Sequence, residues 1–161
     1  MPASRSVIVG TRAVTVITSK DLERWGSAFV ADALRHVPGV YVRRSGGIGR
    51  VTNAIIRGSS AAHVLVLLDS VKVNSPTTGA FDFANLTTDN IERIEILRGG
   101  ASTLYGSDAV GGVIQIFTKD GSGFSGLHGR ILSEMGSNRT FREVGEFGWA
   151  TRQHHLSASV S

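Results

Sequence analysis

A glycine-rich stretch over residues 97–119, LRGGASTLYGSDAVGGVIQIFTK, has the serines, aspartate and glycines that nucleotide-binding and hydrolytic sites use. A phosphate-binding P-loop needs a lysine directly after its last glycine, because the lysine must reach the phosphates, and none follows here. A nucleophile elbow needs G-x-S-x-G, and after Ser102 the second glycine is replaced by Leu104. The stretch therefore predicts a structural corner with a tight helical turn around Tyr105.

Metal and catalytic sites find little support elsewhere in the chain. His154 and His155 are adjacent, so in a strand they would point to opposite faces, and the other three histidines are far apart. Asp69, Asp82 and Asp108 do not have the spacing of a calcium loop. The absence of cysteine excludes thiol catalysis and disulfides. We predict that the chain is not an enzyme and holds no metal or cofactor.

Four charged residues, Arg57, Glu92, Glu95 and Arg98, lie in or beside apolar strand segments. A charge in such a place is costly unless it is paired or solvated. The alternation of charged and apolar residues along this segment fits a solvated sheet face. It equally fits a network of ion pairs that another domain completes, and the residues alone leave both open.

Length and charge narrow the class of protein. The 161 residues suffice for one domain with a core, or one domain and part of another. The net charge of +4 is spread along the chain without a basic run or interleaved aromatic residues, which argues against nucleic-acid binding. Residues 1–10 lack the apolar core of a secretory signal, and no segment has the ~20 apolar residues of a membrane helix. We expect a cytosolic protein or a chain without its targeting segment.

Two short helices are predicted after a first strand at residues 13–17. Thr18 and Asp21 have the spacing of a capping box, and Ser27 is the expected N-cap of the second helix. From residue 40 the apolar residues recur at every second position, which predicts strands at VYVRR, NAIIRG, HVLVLLDSVKV, IERIEILRG and GGVIQIFTK. A turn at Asp69 and Ser70 is expected to break the third of these strands. The polar connection over residues 74–90, which ends at the N-cap candidate Thr88, is long enough to be functional.

Residues 124–161 predict three strands with one apolar and one polar face. The apolar faces consist of Leu127, Ile131 and Met135, of Phe141, Phe147 and Trp149, and of Leu156, Ala158 and Val160. A sheet with one wet face gives this alternation. Strands of about 10 residues in a meander also suit a transmembrane β-barrel.

Taken in order, IRG at residues 56–58, VLVLLDSVKVN at 64–74 and IERIEILRGGASTLYGSDAVGGVIQIFTK at 91–119 resemble the plug domain of TonB-dependent outer-membrane receptors. The upstream segment VTVITSKDLERWGSAFVADALRHVPGVYV resembles the strand and helices that open this plug. YGSDAVGGV and HVLVLLDSVKVN are most similar to the vitamin B12 transporter branch, although siderophore receptors share most of the pattern.

The resemblance implies an α+β fold, a plug with a small mixed sheet and short helices followed by the first antiparallel strands of a transmembrane barrel. The implied organisation is a TonB-box-like segment at residues 1–12, a plug at 13–120, and two or three barrel strands at 124–161. The family's barrel has about 22 strands of about 10 residues. We therefore expect a plug with a truncated barrel, in the outer membrane of a Gram-negative bacterium.

The implied function is energised uptake of a bulky ligand, cobalamin or a ferric siderophore, with the TonB protein as partner. The resemblance places ligand-binding residues in two apical loops: Arg43, Arg44, Ser45, Arg50, Asn53, Asn74, Thr77, Thr78, Phe81 and Asp82. It assigns Arg57, Glu95 and Arg98 to a lock between plug and barrel. Val7, Ile8 and Val9 are the candidate TonB box, with membership of the first plug strand as the alternative.

A soluble periplasmic binding or signalling module that uses the plug fold is the alternative function. In that case residues 124–161 form a small sheet of the same domain, and the protein is monomeric without detergent.

Overall fold

The computed structural model describes residues 5–9, 12–99, 105–119, 126–136, 140–150 and 155–160. The chain forms two compact units, Met1–Thr118 and Lys119–Ser161. The helices are α1 Ser19–Trp25 and α2 Val30–Leu34, and short 3-10 turns span Ala61–His63 and Ser107–Ala109. The strands are β1 Arg5–Val9, β2 Arg12–Thr18, β3 Val40–Arg44, β4 Thr52–Ile56, β5 Val64–Leu68, β6 Val71–Lys72, β7 Ile91–Arg98, β8 Gly112–Thr118, β9 Gly126–Gly136, β10 Thr140–Ala150 and β11 His155–Val160.

The first unit contains a six-stranded sheet in the order β1-β2-β7-β8-β5-β6. Only β5 and β8 pair in parallel, and the other neighbours are antiparallel. β3 and β4 form a separate two-stranded ribbon. The predicted α+β plug with a mixed sheet and short helices is confirmed, and the predicted strands from residue 40 onward correspond to β3–β8.

The start of α1 follows the sequence prediction. The Thr18 hydroxyl accepts from the Asp21 N–H, and the Asp21 carboxylate accepts from the Thr18 N–H, which completes the capping box. Such a cap stabilises a helix by about 1 kcal/mol. The helix ends at Gly26, whose φ of 60° is the left-handed conformation that glycine adopts without steric cost.

Two N-cap predictions are wrong. Ser27 does not cap α2, because the N-cap is Phe29, which makes no side-chain capping bond. Thr88 is followed by β7 and not by a helix; its hydroxyl donates to the Ser27 carbonyl at 2.6 Å, and its N–H donates to the Ala28 carbonyl. Both residues therefore fasten the segment before α2 to the segment before β7, a long-range contact that local helix signals do not reveal.

The main core lies on one face of the six-stranded sheet. Along β7 and β8 the inward residues Ile94, Ile96, Ile114 and Ile116 have no exposed surface. The helices, the ribbon and Phe83 contribute the other residues of this cluster. Burying one such isoleucine side chain stabilises the fold by roughly 1.5–3 kcal/mol. A smaller cluster of Leu65, Leu67, Ala109 and Val113, packed by Leu97, covers part of the opposite face.

The glycine-rich corner depends on close backbone contacts near its end. A Cβ atom on Gly111 would lie 2.2 Å from the Ser59 hydroxyl oxygen, and one on Gly112 would lie 2.5 Å from the Leu97 carbonyl oxygen. Only glycine fits at these two positions. The predicted turn around Tyr105 falls mostly on residues 100–104, which lie outside the described residues.

The second unit contains an antiparallel sheet in the order β11-β10-β9. Its register pairs Leu127 with Trp149 and Met135 with Phe141, so the predicted apolar residues share one face. Apolar residues of this face are largely exposed: Leu127, Ile131, Met135, Phe141, Phe147, Trp149 and Val160. The opposite face carries a Lys119–Glu146 ion pair of 2.7 Å, and Val144 is buried. The turns predicted between these strands lie outside the described residues.

Candidate ligand-binding and docking sites

The tip of the β3–β4 ribbon holds the first group of candidate binding residues. The connecting loop closes where the Ser45 N–H donates to the Val51 carbonyl at 3.0 Å. Arg43 and Arg50 are exposed, and neither forms an ion pair within the described part of the chain. Arg44 turns inward instead, and its guanidinium lies 3.5 Å from the Asp32 carboxylate of α2. The tip therefore presents two uncompensated cations.

Exposed apolar side chains accompany these arginines. Tyr41, Ile48 and Val51 are 64%, 76% and 52% exposed. These three residues are not among the binding residues predicted from the sequence, although apolar residues in a glycine-rich loop are an available signal. A surface of arginines among exposed apolar groups is suited to an anionic ligand with apolar parts.

The second candidate loop packs against the ribbon. The Phe83 N–H donates to the Thr52 carbonyl at 2.8 Å, and the Thr52 N–H donates to Asp82 Oδ1 at 2.8 Å. The Asn53 side-chain amide donates to the Phe81 carbonyl at 3.0 Å. Phe81 also packs edge-to-face on Phe83, with ring centroids 4.7 Å apart. The structure thus brings Asn53, Phe81 and Asp82 together next to the first loop.

Asn74 is placed differently from the other residues of its loop. Its side chain is buried; Oδ1 accepts from the Val66 N–H, and Nδ2 donates to the carbonyls of Val64 and Gly79. Both of its N–H groups are therefore used within the chain, and its role is to hold the loop on β5. Thr77 and Thr78 remain exposed at the turn of this loop.

The base of the ribbon holds two of the candidate lock residues, Arg57 and Arg98. Both side chains flank Gly39, since a Cβ there would lie 3.9 Å from Arg98 Cδ and 4.0 Å from Arg57 Cγ. Arg98 donates to the Pro38 carbonyl at 2.7 Å and to the buried Thr15 hydroxyl at 2.8 Å.

Neither of these arginines meets a carboxylate within the described residues. Arg57 is exposed and has a left-handed φ of 51°, a sparsely populated conformation for residues other than glycine. Two neighbouring cations that lack an acidic partner among the described residues attract negative charge.

Glu95 does not join this pair. It lies three positions before Arg98 on β7, so the two side chains point to opposite faces of the sheet. Its carboxylate accepts from Arg93 Nε at 2.8 Å, and the Arg93 guanidinium stacks 3.6 Å from the centre of the Phe117 ring. Of the three candidate lock residues, the structure therefore brings together only Arg57 and Arg98, and Glu95 belongs to a separate ion pair with Arg93.

The candidate TonB box forms most of strand β1. Val7, Ile8 and Val9 pair antiparallel with Val14, Ala13 and Arg12 of β2. β1 is the outermost strand of the sheet, so one of its edges is unpaired among the described strands.

No metal site or membrane helix is found in the part of the chain that the structure describes. No group of three or more histidine, aspartate or glutamate side chains is placed to hold an ion there. None of the described helices is long and apolar enough to cross a membrane.

Comparison with solved structures gives three informative matches. The siderophore receptor PirA from Acinetobacter baumannii is 28% identical, with a TM-score of 0.67 over 91% of this chain and 24% of that chain. The ferric yersiniabactin uptake receptor FyuA from Yersinia pestis is 25% identical, with a TM-score of 0.72 over 97% and 24%. The ferripyoverdine receptor of the outer membrane of Pseudomonas aeruginosa is 21% identical, with a TM-score of 0.75 over 92% of this chain and 20% of that chain. This match supports the fold alone.

The chain thus spans about a quarter of the receptors that it matches. The family described as TonB-dependent Receptor Plug Domain matches residues 7–113, which is well over half of the 161 residues. The chain therefore belongs to the family of TonB-dependent receptor plug domains.

Proposed function

We propose that this chain is the plug and the first wall strands of a TonB-dependent outer-membrane receptor that takes up a ferric siderophore. The observation that carries the proposal is the plug-family match over residues 7–113, joined to an exposed cationic and apolar apex. The chain gates transport and performs no bond chemistry. Its domains are the TonB-box segment at 1–12, the plug at 13–120 and the wall strands at 124–161.

The exposed face of the β9–β11 sheet supports the membrane assignment. Its apolar residues extend from Leu127 and Trp149 at one end to Met135 and Phe141 at the other. The eight residue-to-residue steps from Leu127 to Met135 span about 26 Å, close to the ~25 Å apolar band of an outer-membrane barrel before strand tilt is considered. Lipid is therefore the environment that we assign to this face, in the outer membrane of a Gram-negative bacterium.

The arginine pair at the base of the ribbon supports a lock between plug and barrel. Arg57 and Arg98 would bind carboxylates of the barrel wall and hold the plug in place. In a receptor that carries Arg57→Ala and Arg98→Ala, we expect that the barrel wall no longer holds the plug in place. Wild-type transport and folding in this double variant would refute the lock.

β1 supports contact with TonB. The free edge of this outermost strand offers N–H and C=O groups to which a strand of TonB can pair. A ligand bound at the apex would shift the conformations of the two apical loops. A pulling force on the amino-terminal segment would then rearrange the plug.

The charge at the apex favours a siderophore over cobalamin. Arg43 and Arg50 have no acidic partner among the described residues, so an anionic iron chelate would supply the missing charge. The similarity of PirA and FyuA, a siderophore receptor and a ferric yersiniabactin receptor, points the same way. The vitamin B12 branch remains an untested prediction.

The test is binding by the full-length polypeptide in detergent. The probes are ferric yersiniabactin, ferripyoverdine and cyanocobalamin. We expect one of the iron chelates to bind, with affinity about tenfold lower in Arg43→Ala or Arg50→Ala. Arg35→Ala, which removes an exposed arginine after α2, is the matched control and should bind normally. Binding of cyanocobalamin alone would contradict the siderophore assignment.

The alternative, a soluble periplasmic module, is distinguished by its behaviour without detergent. A monomer with no tendency to aggregate would favour that alternative. Aggregation that detergent reverses would favour wall strands with a lipid-facing surface.

A further inference from the structure

Residues 81–83 lie along the free edge of β4 and are hydrogen-bonded to it. The opposite edge of β4 is already paired with β3. On the free edge, the Phe83 N–H donates to the Thr52 carbonyl at 2.8 Å. The Thr52 N–H donates to the Asp82 carboxylate, also at 2.8 Å. A side-chain oxygen therefore replaces the backbone carbonyl that a regular strand would supply.

The same oxygen of Asp82 organises its own loop. Besides the Thr52 N–H, Oδ1 accepts from the Ala84 N–H at 3.0 Å. This oxygen thus joins positions that are 30 residues apart in the chain. The Asn53 amide adds a second, independent link through the Phe81 carbonyl.

We propose that Asp82 is a positioning residue, which fixes the two apical loops as one platform instead of contacting the ligand. Arg43 lies directly across the ribbon from Asn53. The hydrogen bonds of Thr52 and Asn53 to residues 81 and 82 therefore set the distance between Arg43 and Phe81. Both bonds to Oδ1 need an oxygen acceptor at position 82, which a carboxylate or an amide supplies. Only the consequence for ligand binding rests on the proposed receptor function.

Hydrogen exchange of the full-length polypeptide, without any ligand, tests the link directly. In Asp82→Ala the Thr52 N–H loses its acceptor, and we expect its exchange to accelerate about tenfold or more. Asp82→Asn retains an oxygen that can accept both bonds, so its exchange should stay near the wild-type rate. Asn85→Ala is the matched control, because Asn85 is an exposed residue of the same loop with no hydrogen bond among the described residues.

Asn53→Ala keeps the test decisive if Asp82→Ala does not fold. It removes one link between the loops and no charge, and we expect exchange at Phe83 and Thr52 to rise by a few-fold. Unchanged exchange at Thr52 in Asp82→Ala would overturn the proposal. Where that variant fails to fold, unchanged exchange at Phe83 in Asn53→Ala would show that these contacts do not hold the two loops together and would overturn it.

Uptake then separates positioning from direct contact. In cells that accumulate ferripyoverdine or ferric yersiniabactin through the wild-type receptor, Asp82→Ala should raise the half-saturating concentration about tenfold without changing the maximal rate. Asp82→Asn should restore uptake. An equal loss in both variants would show that the charge itself matters and would overturn the positioning role. Absence of uptake by the wild type would refute the proposed function, while hydrogen exchange would still decide the role of Asp82.

Discussion

The strands of the six-stranded sheet and of the three-stranded sheet both alternate apolar and polar residues. The apolar face is buried in the first sheet and exposed in the second. Ile94 and Ile114 of the first sheet have no exposed surface, whereas Ile131 and Met135 of the second are each 87% exposed. Helices, ribbon and Phe83 cover the first face within its own unit. The comparison teaches that alternation identifies the apolar face of a strand, while the rest of the polypeptide and its surroundings determine what covers it.

Ile94→Ala should produce the largest effect, because it creates a cavity in the core between β2 and β8. We expect the free energy of unfolding to fall by about 2–5 kcal/mol. Denaturant unfolding of the full-length polypeptide, followed by hydrogen exchange in β7 and β8, measures the change. A loss below about 1 kcal/mol would show that this face is not a completed core.

Ile131→Arg tests whether the exposed face of the second sheet meets lipid. If it does, the charge should cost about 2–4 kcal/mol of stability for the receptor folded in lipid vesicles. Ile48→Arg is the control, because Ile48 is 76% exposed in a loop of the first unit and should tolerate the change. If arginine is tolerated equally at positions 131 and 48, both surfaces face water.

Glu146→Gln probes the polar face of the second sheet. Glu146 accepts from Lys119 at 2.7 Å, and only 17% of its side chain is exposed, so we expect a loss of roughly 1 kcal/mol. Glu143→Gln on the exposed face is the comparison, since Glu143 has no ion pair among the described residues. A lipid-facing position predicts that this variant is at least as stable as the wild type. Urea unfolding in lipid vesicles would compare them.

The smallest effect is expected at the exposed ion pair between Lys72 and Asp108 in the first unit. The hydrogen bond and charge of Lys72 lower the pKa of Asp108 below its ordinary value of 3.8. The contribution to stability is therefore complete above pH 3.8 and is lost as the pH falls through the lowered pKa. The difference between wild type and Asp108→Asn in thermal unfolding should vanish in acid, and a difference that grows in acid would contradict this assignment.

Local signals predicted the elements of the fold well. Thr18 and Asp21 form the expected capping box, and the period-two segments form strands in the expected order. The positive φ values of Asp69 and Ser70 agree with the predicted turn between β5 and β6. These features depend on neighbours in sequence, which is why the sequence reveals them.

Features that depend on distant contacts were not predictable. Ser27 and Thr88 carry helix-cap signals but bond to each other's segments across 61 positions. The resemblance assigns Glu95 to the same lock as Arg98, yet the two side chains lie on opposite faces of the sheet and Glu95 pairs with Arg93. The burial of Asn74 and the bond from Thr52 to Asp82 likewise depend on how a long loop folds back, which composition does not specify.

Uptake of radiolabelled ferripyoverdine and ferric yersiniabactin by cells that express the full-length polypeptide tests whether the chain belongs to a TonB-driven siderophore receptor. The measurement compares cells with functional TonB and cells in which TonB is inactivated. The receptor account predicts that one of these chelates accumulates only when TonB is functional and falls to the surface-bound level without it. Accumulation that does not depend on TonB, or no uptake of either chelate, would contradict the account.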